Sequence, residues 1–120
     1  MSELILNVKQ GEEINVGFNI KENGVAMDLT EYNIRFQVKQ APLEKVRPII
    51  DKLINTTSDM NTVGMITDPT DGRFVVHLTK EDTSFPNTEY SLIISLEQEG
   101  LIDIISSKCC NKAIYRICEQ

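Results

Sequence analysis

The sequence predicts an all-β fold, an antiparallel β-sandwich of about seven to nine strands. Three observations carry this. The dominant hydrophobic period is two, well-marked turns recur at short intervals, and no segment sustains a helical period. An irregular apolar stretch at 4–8 comes first and is closed by Gln10-Gly11. In residues 12–21, Ile14, Val16, Phe18 and Ile20 share one face and polar residues take the other, as in a half-buried strand. Asn23-Gly24 is the strongest hairpin signal, because both central residues of a type I′ turn need positive φ. Residues 33–39 repeat the alternation, with Ile34, Phe36 and Val38 inward and Arg35, Gln37 and Lys39 outward. Apolar stretches follow at 49–54, 63–67 and 73–78, the last two separated by the turn Asp68-Pro69-Thr70-Asp71-Gly72. Residues 89–97 alternate again through Tyr90, Leu92, Ile94 and Leu96, and stretches at 101–107 and 113–118 follow the Glu99-Gly100 turn. The expected core is Ile14, Val16, Phe18, Leu29, Ile34, Phe36, Val38, Tyr90, Leu92 and Ile94, since a one-residue slip would turn each strand's apolar set outward.

Helical text is brief. Leu43-Glu44-Lys45-Val46 is too short and is closed by Pro48, and Thr79 with Asp82 three residues later suits one capped turn between strands. Eight or nine short strands without crossover helices favour antiparallel sheets packed face to face. The 120 residues amount to one domain, 1–120, with 101–120 as an atypical C-terminal strand or strands.

Composition narrows the function. Twelve basic against eighteen acidic residues give a net charge of −6, which repels phosphate backbones and anionic lipid and speaks against nucleic-acid and membrane partners. No apolar run exceeds three residues, far short of the roughly 20 a spanning helix needs, and the N-terminus has no secretory pattern. A single histidine, His77, leaves little for general-base or nucleophilic schemes, and it falls out of phase with Phe74, Val76 and Leu78, so it is expected to face solvent. No catalytic residue, cofactor or metal is therefore expected. Asp68 and Asp71 lack the alternating ligands of a calcium loop. Cys109, Cys110 and Cys118 have neither the spacing of a zinc site nor the distribution of a disulfide framework, and reduced thiols are expected ahead of a Cys110–Cys118 pair. Asn55-Thr56-Thr57 matches a glycosylation triplet but has no secretory context. Tyr90, after Pro86-Asn87-Thr88-Glu89, occupies the position of a tyrosine corner, a structural hydrogen bond.

Two longer stretches go beyond general β-sandwich patterning. They are Gly24-Val25-Ala26-Met27-Asp28-Leu29-Thr30-Glu31-Tyr32-Asn33-Ile34-Arg35-Phe36-Gln37-Val38-Lys39 and the run from Ile66 to Thr83 with the Tyr90 strand behind it. With Gln10-Gly11-Glu12, they resemble the immunoglobulin-like domain at the start of phage baseplate upper proteins and related small tail proteins of long-tailed phages. The resemblance covers residues 8 to 100. It implies an immunoglobulin-like sandwich in which Leu29 plugs a loop into the core and Gly72 supports the turn before the next strand. The 101–120 tail departs from the pattern, being longer and carrying all three cysteines, and no helical receptor-binding segment is expected behind it. The resemblance thus implies a stand-alone virion component: a collar, ring or baseplate subunit made in the host cytoplasm, whose partners are further copies of itself and other phage tail proteins. The alternative is a binding module for a host-surface protein or carbohydrate, against which stand the absence of Trp and an aromatic content of 6%.

The expected assembly surface is the segment 41–67. It is longer than the usual connection and mixes polar residues with apolar ones that fit no obvious core phase. The candidate interface residues are Leu43, Lys45, Val46, Arg47, Lys52, Met60, Val63 and Met65, the cations offsetting like-charge repulsion between acidic copies. The competing expectation is two ordinary sandwich strands at 49–54 and 63–67, which as edge strands would themselves be docking edges.

Overall fold

The computed structural model describes residues 3–22, 24–40, 47–86, 89–104 and 112–118. Its strands are β1 (Glu3–Lys9), β2 (Ile14–Asn19), β3 (Lys21–Glu22), β4 (Val25–Ala26), β5 (Asn33–Lys39), β6 (Ile50–Ile54), β7 (Gly64–Asp68), β8 (Arg73–Leu78), β9 (Glu89–Gln98), β10 (Leu101–Ile104) and β11 (Lys112–Cys118). A large sheet runs β1-β11-β9-β5-β6, with β10 also on β9, and a small sheet runs β2-β8-β7. The two inner faces make an immunoglobulin-like β-sandwich.

The period-two text decides which side chains meet. Ile34, Phe36 and Val38 of β5 and Tyr90, Leu92, Ile94 and Leu96 of β9 point inward against Phe74, Val76 and Leu78 of β8, with Leu29 buried among them. Ile14, Val16 and Phe18 lie against this core but stay partly exposed, because β2 is an edge strand covered from one side only. The sheets are joined by rings: Phe18 stacks on Phe74 at 5.0 Å between centroids and meets Phe36 of the opposite sheet at 6.4 Å.

The turns follow the residues that permit them. Lys21 and Glu22 pair with Ala26 and Val25, the register of a two-residue loop at the Asn23-Gly24 step; Asn23 lies outside the described residues. Glu99 and Gly100 both take positive φ between β9 and β10. Gly72 (φ +67°) ends the 3₁₀ turn Pro69–Asp71 where a Cβ would stand 2.4 Å from the Ile20 carbonyl oxygen. Its own carbonyl accepts from Ile20 N–H at 2.8 Å, and Pro69 O accepts from Leu29 N–H at 2.7 Å, so this turn seats the Leu29 plug. Thr79 and Asp82 cap each other reciprocally, Thr79 N–H to Asp82 Oδ2 at 2.9 Å and Asp82 N–H to Thr79 Oγ1 at 3.3 Å. Tyr90 Oη donates to Pro86 O at 2.8 Å, the tyrosine corner.

The C-terminal stretch joins the sandwich. β10 and β11 lie on the same partner strand, β9, at successive registers, and β11 also pairs in parallel with β1, bringing Val8 and Ile117 into the core. The 113–118 stretch is thereby internal to the fold. Cys118 is a free, half-buried thiol, and Cys109 and Cys110 lie outside the described residues.

Candidate interaction surface

The segment between β5 and β8 forms one flank of the sandwich. β6 is an edge of the large sheet and β7 an edge of the small one, and Ile66 N–H donates to Asn55 O at 2.9 Å where the two approach. The competing sequence expectation thus holds here: Ile50, Ile54 and Ile66 are core residues of two sandwich strands. The connection between them is held by its own hydrogen bonds. Asp59 O accepts from Val63 N–H at 3.0 Å and Gly64 N–H at 3.1 Å, Asn55 Oδ1 accepts from Thr57 N–H at 2.9 Å, and Ser58 Oγ lies 2.6 Å from Gly64 O.

On this flank Arg47 is exposed and Met60, Val63 and Met65 are half-buried, while Leu43, Lys45 and Val46 lie outside the described residues. Lys52 corrects the sequence expectation. It occupies an inward position of β6, is buried, pairs with Asp82 Oδ2 at 2.8 Å and donates to Thr62 O at 3.2 Å. Its charge is used within the chain, because the inward phase between Ile50 and Ile54 directs the long stem across the sandwich toward the 79–82 turn. Lys52→Met is expected to lower stability by about 2–3 kcal/mol in a denaturant melt, since Asp82 would keep a largely buried charge without its partner.

His77 is the second correction. It is buried rather than solvent-facing, with Nδ1 2.6 Å from Asn15 Oδ1 and Nε2 3.1 Å from Glu13 Oε2. Its phase is outward as expected, but Asn15 stands directly opposite on β2 and, with Glu13, engages both nitrogens of the ring on the outer face of the small sheet. Both ring nitrogens are therefore engaged, and among the described residues no cluster of three or more His, Cys, Asp or Glu is placed to hold a metal.

Tyr115 is fully buried and donates from Oη to Asp82 O at 3.0 Å. Burial pushes its phenol well above the ordinary tyrosine range, with the nearby Asp82 and Tyr90 adding to the effect. A phenol that stays neutral in the fold but ionises in the unfolded chain supports the fold fully below the unfolded value, near 10, and less as pH rises above it. The expected result is a melting temperature that falls steadily above about pH 10 and falls less in Tyr115→Phe relative to that variant's own neutral-pH value.

The outer face of the large sheet carries a cluster the sequence analysis did not single out. Arg35 reaches Asp51 on one neighbouring strand (Nη1–Oδ1, 2.7 Å) and Glu97 on the other (Nε–Oε2, 3.0 Å). The hydrogen bond to Asp51 leads in holding the guanidinium further above its already high value, opposed by partial burial. Arg116 pairs with Glu89 on the same face. The available signal was the outward phase of Arg35 in a central strand, where a charge needs cross-strand partners; which strands flank it is not written in the sequence. Among the described residues, the large apolar side chains left exposed are Val25 on the β3–β4 hairpin, Leu53 on β6, and Leu101 and Ile102 on β10.

Neither a protein-family model nor a curated protein matches the chain. Among solved structures, the chain is similar to the N-terminal domain of phage TP901-1 ORF48, at 12% identity and a TM-score of 0.50 over 100% of both chains. It is also similar to the ZIG-8–RIG-5 IG1–IG1 heterodimer (11% identity, 98% of this chain and 84% of that one, TM-score 0.42). A third is the extracellular domain of the voltage-gated sodium channel β4 subunit (9% identity, 98% and 92%, TM-score 0.39). At these identities the likeness is one of fold alone.

Proposed function

We propose that this protein is a non-catalytic structural component of a phage tail, a small subunit that self-assembles into a ring, collar or baseplate element of the virion. The observation that carries the reading is the end-to-end similarity to a phage protein's N-terminal domain, which spans both chains completely. It agrees in kind with the phage resemblance of the turn-and-strand motifs, and a small one-domain subunit gains function by symmetric repetition. The assembly surface assigned to it is the β6–β7 flank, with Arg47, Met60, Val63 and Met65, and with Leu43, Lys45 and Val46 in the adjoining connection. Two edge strands side by side offer unpaired backbone groups to a neighbouring copy.

The test replaces residues 42–48 with a short Gly-Ser turn and adds Met65→Asp, followed by light scattering and negative-stain microscopy. The reading expects a defined high-order oligomer from the native chain and a folded, soluble variant that no longer builds it. An unchanged oligomer rejects the flank, and a native chain without any high-order species rejects the ring. A second reading, a binding module for a host-surface protein or carbohydrate, draws on the exposed Val25 and Leu101 of two hairpins. It expects no ring and a loss of cell or glycan binding in Val25→Asp with Leu101→Asp.

A further inference from the structure

We infer that β2 is a pairing edge for a second copy of this chain, the two β2 strands lying antiparallel about a two-fold axis at Gly17. The inference goes beyond the tail reading and uses the edge of the small sheet opposite to the β6–β7 flank.

β2 ends the small sheet, with β8 on one side and no strand on the other among the described residues. Its hydrogen-bond phase follows from the neighbouring bonds. Ile20 N–H donates to Gly72 O at 2.8 Å, one step beyond the Asn19–Arg73 pair, so the even-numbered residues of β2 are those that bond β8. His77 N–H donates to Val63 O on the β7 side, which leaves the even-numbered residues of β8 for β2 in agreement. The N–H and C=O groups of Asn15, Gly17 and Asn19 therefore point to the open edge. The usual protections of an edge are missing: residues 14–19 hold no Pro and no charge, and the β2–β8 register runs without a bulge. Gly17 is a second observation. A glycine inside a strand weakens it, yet this one has neither positive φ nor any atom within 4 Å of an added Cβ. Nothing in its own fold calls for a glycine there, whereas the approach of a second backbone does.

The residues themselves identify the occupant. Ile14-Asn15-Val16-Gly17-Phe18-Asn19-Ile20 reads the same from either end in residue class. Two antiparallel copies centred on Gly17 therefore match at every position. Gly17 faces Gly17, Asn15 faces Asn19 on the outer side, and on the inner side Val16 faces Phe18 and Ile14 faces Ile20. The arrangement forms about six backbone hydrogen bonds from groups that otherwise point to water. It also covers Ile14, Val16, Phe18 and Ile20, inward residues that the single sandwich leaves partly exposed. Just outside the palindrome, Glu13 of one copy comes to Lys21 of the other, opposite charges in a chain of net −6. The pairing stops there, because Lys21 and Glu22 turn into the β3–β4 hairpin. An edge that complements itself about one axis is what an isologous contact requires.

Oxidative cross-linking of the full chain tests the register whether or not a ring forms. Gly17→Cys, exposed and with open space around its Cβ, is expected to give a covalent dimer about 10-fold faster than the native chain under the same oxidant. The axis brings its two copies to the roughly 5.5 Å Cα separation of a directly opposed pair. Asn19→Cys is equally exposed but faces Asn15 of the other copy, so it is expected to cross-link no faster than the native chain. Sedimentation velocity in the Met65→Asp background, where the flank is disabled, gives a second reading. Gly17→Lys and Gly17→Glu are each expected to raise the dimer dissociation constant by about 10-fold with Tm unchanged, and their equimolar mixture to restore the dimer, since opposite charges then meet across the axis. Gly17→Cys that does not exceed the native chain, Asn19→Cys that matches it, or charge variants that dimerise like their parent overturn the β2 pairing and leave the tail reading standing. Absence of the native ring with Gly17→Cys cross-linking intact supports the pairing and counts against the tail reading only.

Discussion

Phe36→Ala is expected to destabilise the protein by about 3–5 kcal/mol, lowering Tm by roughly 10–20 °C in a calorimetric scan with the fold otherwise retained. Phe36 is fully buried in the middle of β5, flanked by Ile94 on β9 and Lys52 on β6. Its ring crosses the sandwich to Phe18, which in turn stacks on Phe74. Truncation removes apolar surface from the junction of the two sheets. It also leaves a cavity that regular strands on both sides cannot collapse into, so the cost exceeds the transfer term alone. A variant that melts with the native protein would mean that Phe36 does not join the sheets.

Gly64→Ala is the other large effect, expected at roughly 2–5 kcal/mol, again read from denaturant midpoints. Gly64 opens β7 with φ +110°, a conformation side-chain-bearing residues rarely adopt. A Cβ there would sit 2.0 Å from the Val75 carbonyl oxygen and 2.9 Å from Val76 Cα, so backbone of the neighbouring strand would have to give way. The same residue donates to Asp59 O and has Ser58 Oγ at its carbonyl, which ties the 55–63 connection to the small sheet. The substitution therefore acts on β7 pairing and on the flank assigned to assembly together. Gly100→Ala makes a useful contrast: its φ is also positive, but no atom stands within 4 Å of the added Cβ, so only the conformational part of the cost applies.

Taken with Lys52→Met, these variants separate the two halves of the flank. Gly64→Ala perturbs the strand and its connection, whereas Lys52→Met removes the ion pair that fastens β6 to the 79–82 turn.

Much of the architecture is legible in the residues alone. Strict alternation at 14–20, 33–39 and 89–97 selects the buried face of β2, β5 and β9, because strand side chains have a period of two and only one phase removes the apolar set from water. Gly24, Gly72 and Gly100 mark turns whose positive φ few other residues accept, and the Tyr90 corner and the Thr79–Asp82 caps are short-range hydrogen bonds written within a few residues of sequence. The 49–54 phase was obscured because Lys52 occupies an inward slot and Leu53 an outward one. A lysine can sit inward only if a carboxylate arrives from elsewhere in the chain, and Asp82 is thirty residues away. His77 is the same case: its outward phase is local, but its burial depends on Asn15 and Glu13 of another strand. Sequence thus determined which residues form strands and which way each strand faces. Only the tertiary structure decided which strands are neighbours, and with that which charges are paired internally and which apolar side chains remain exposed on the outer face, since cross-strand partners come from segments with no fixed sequence separation.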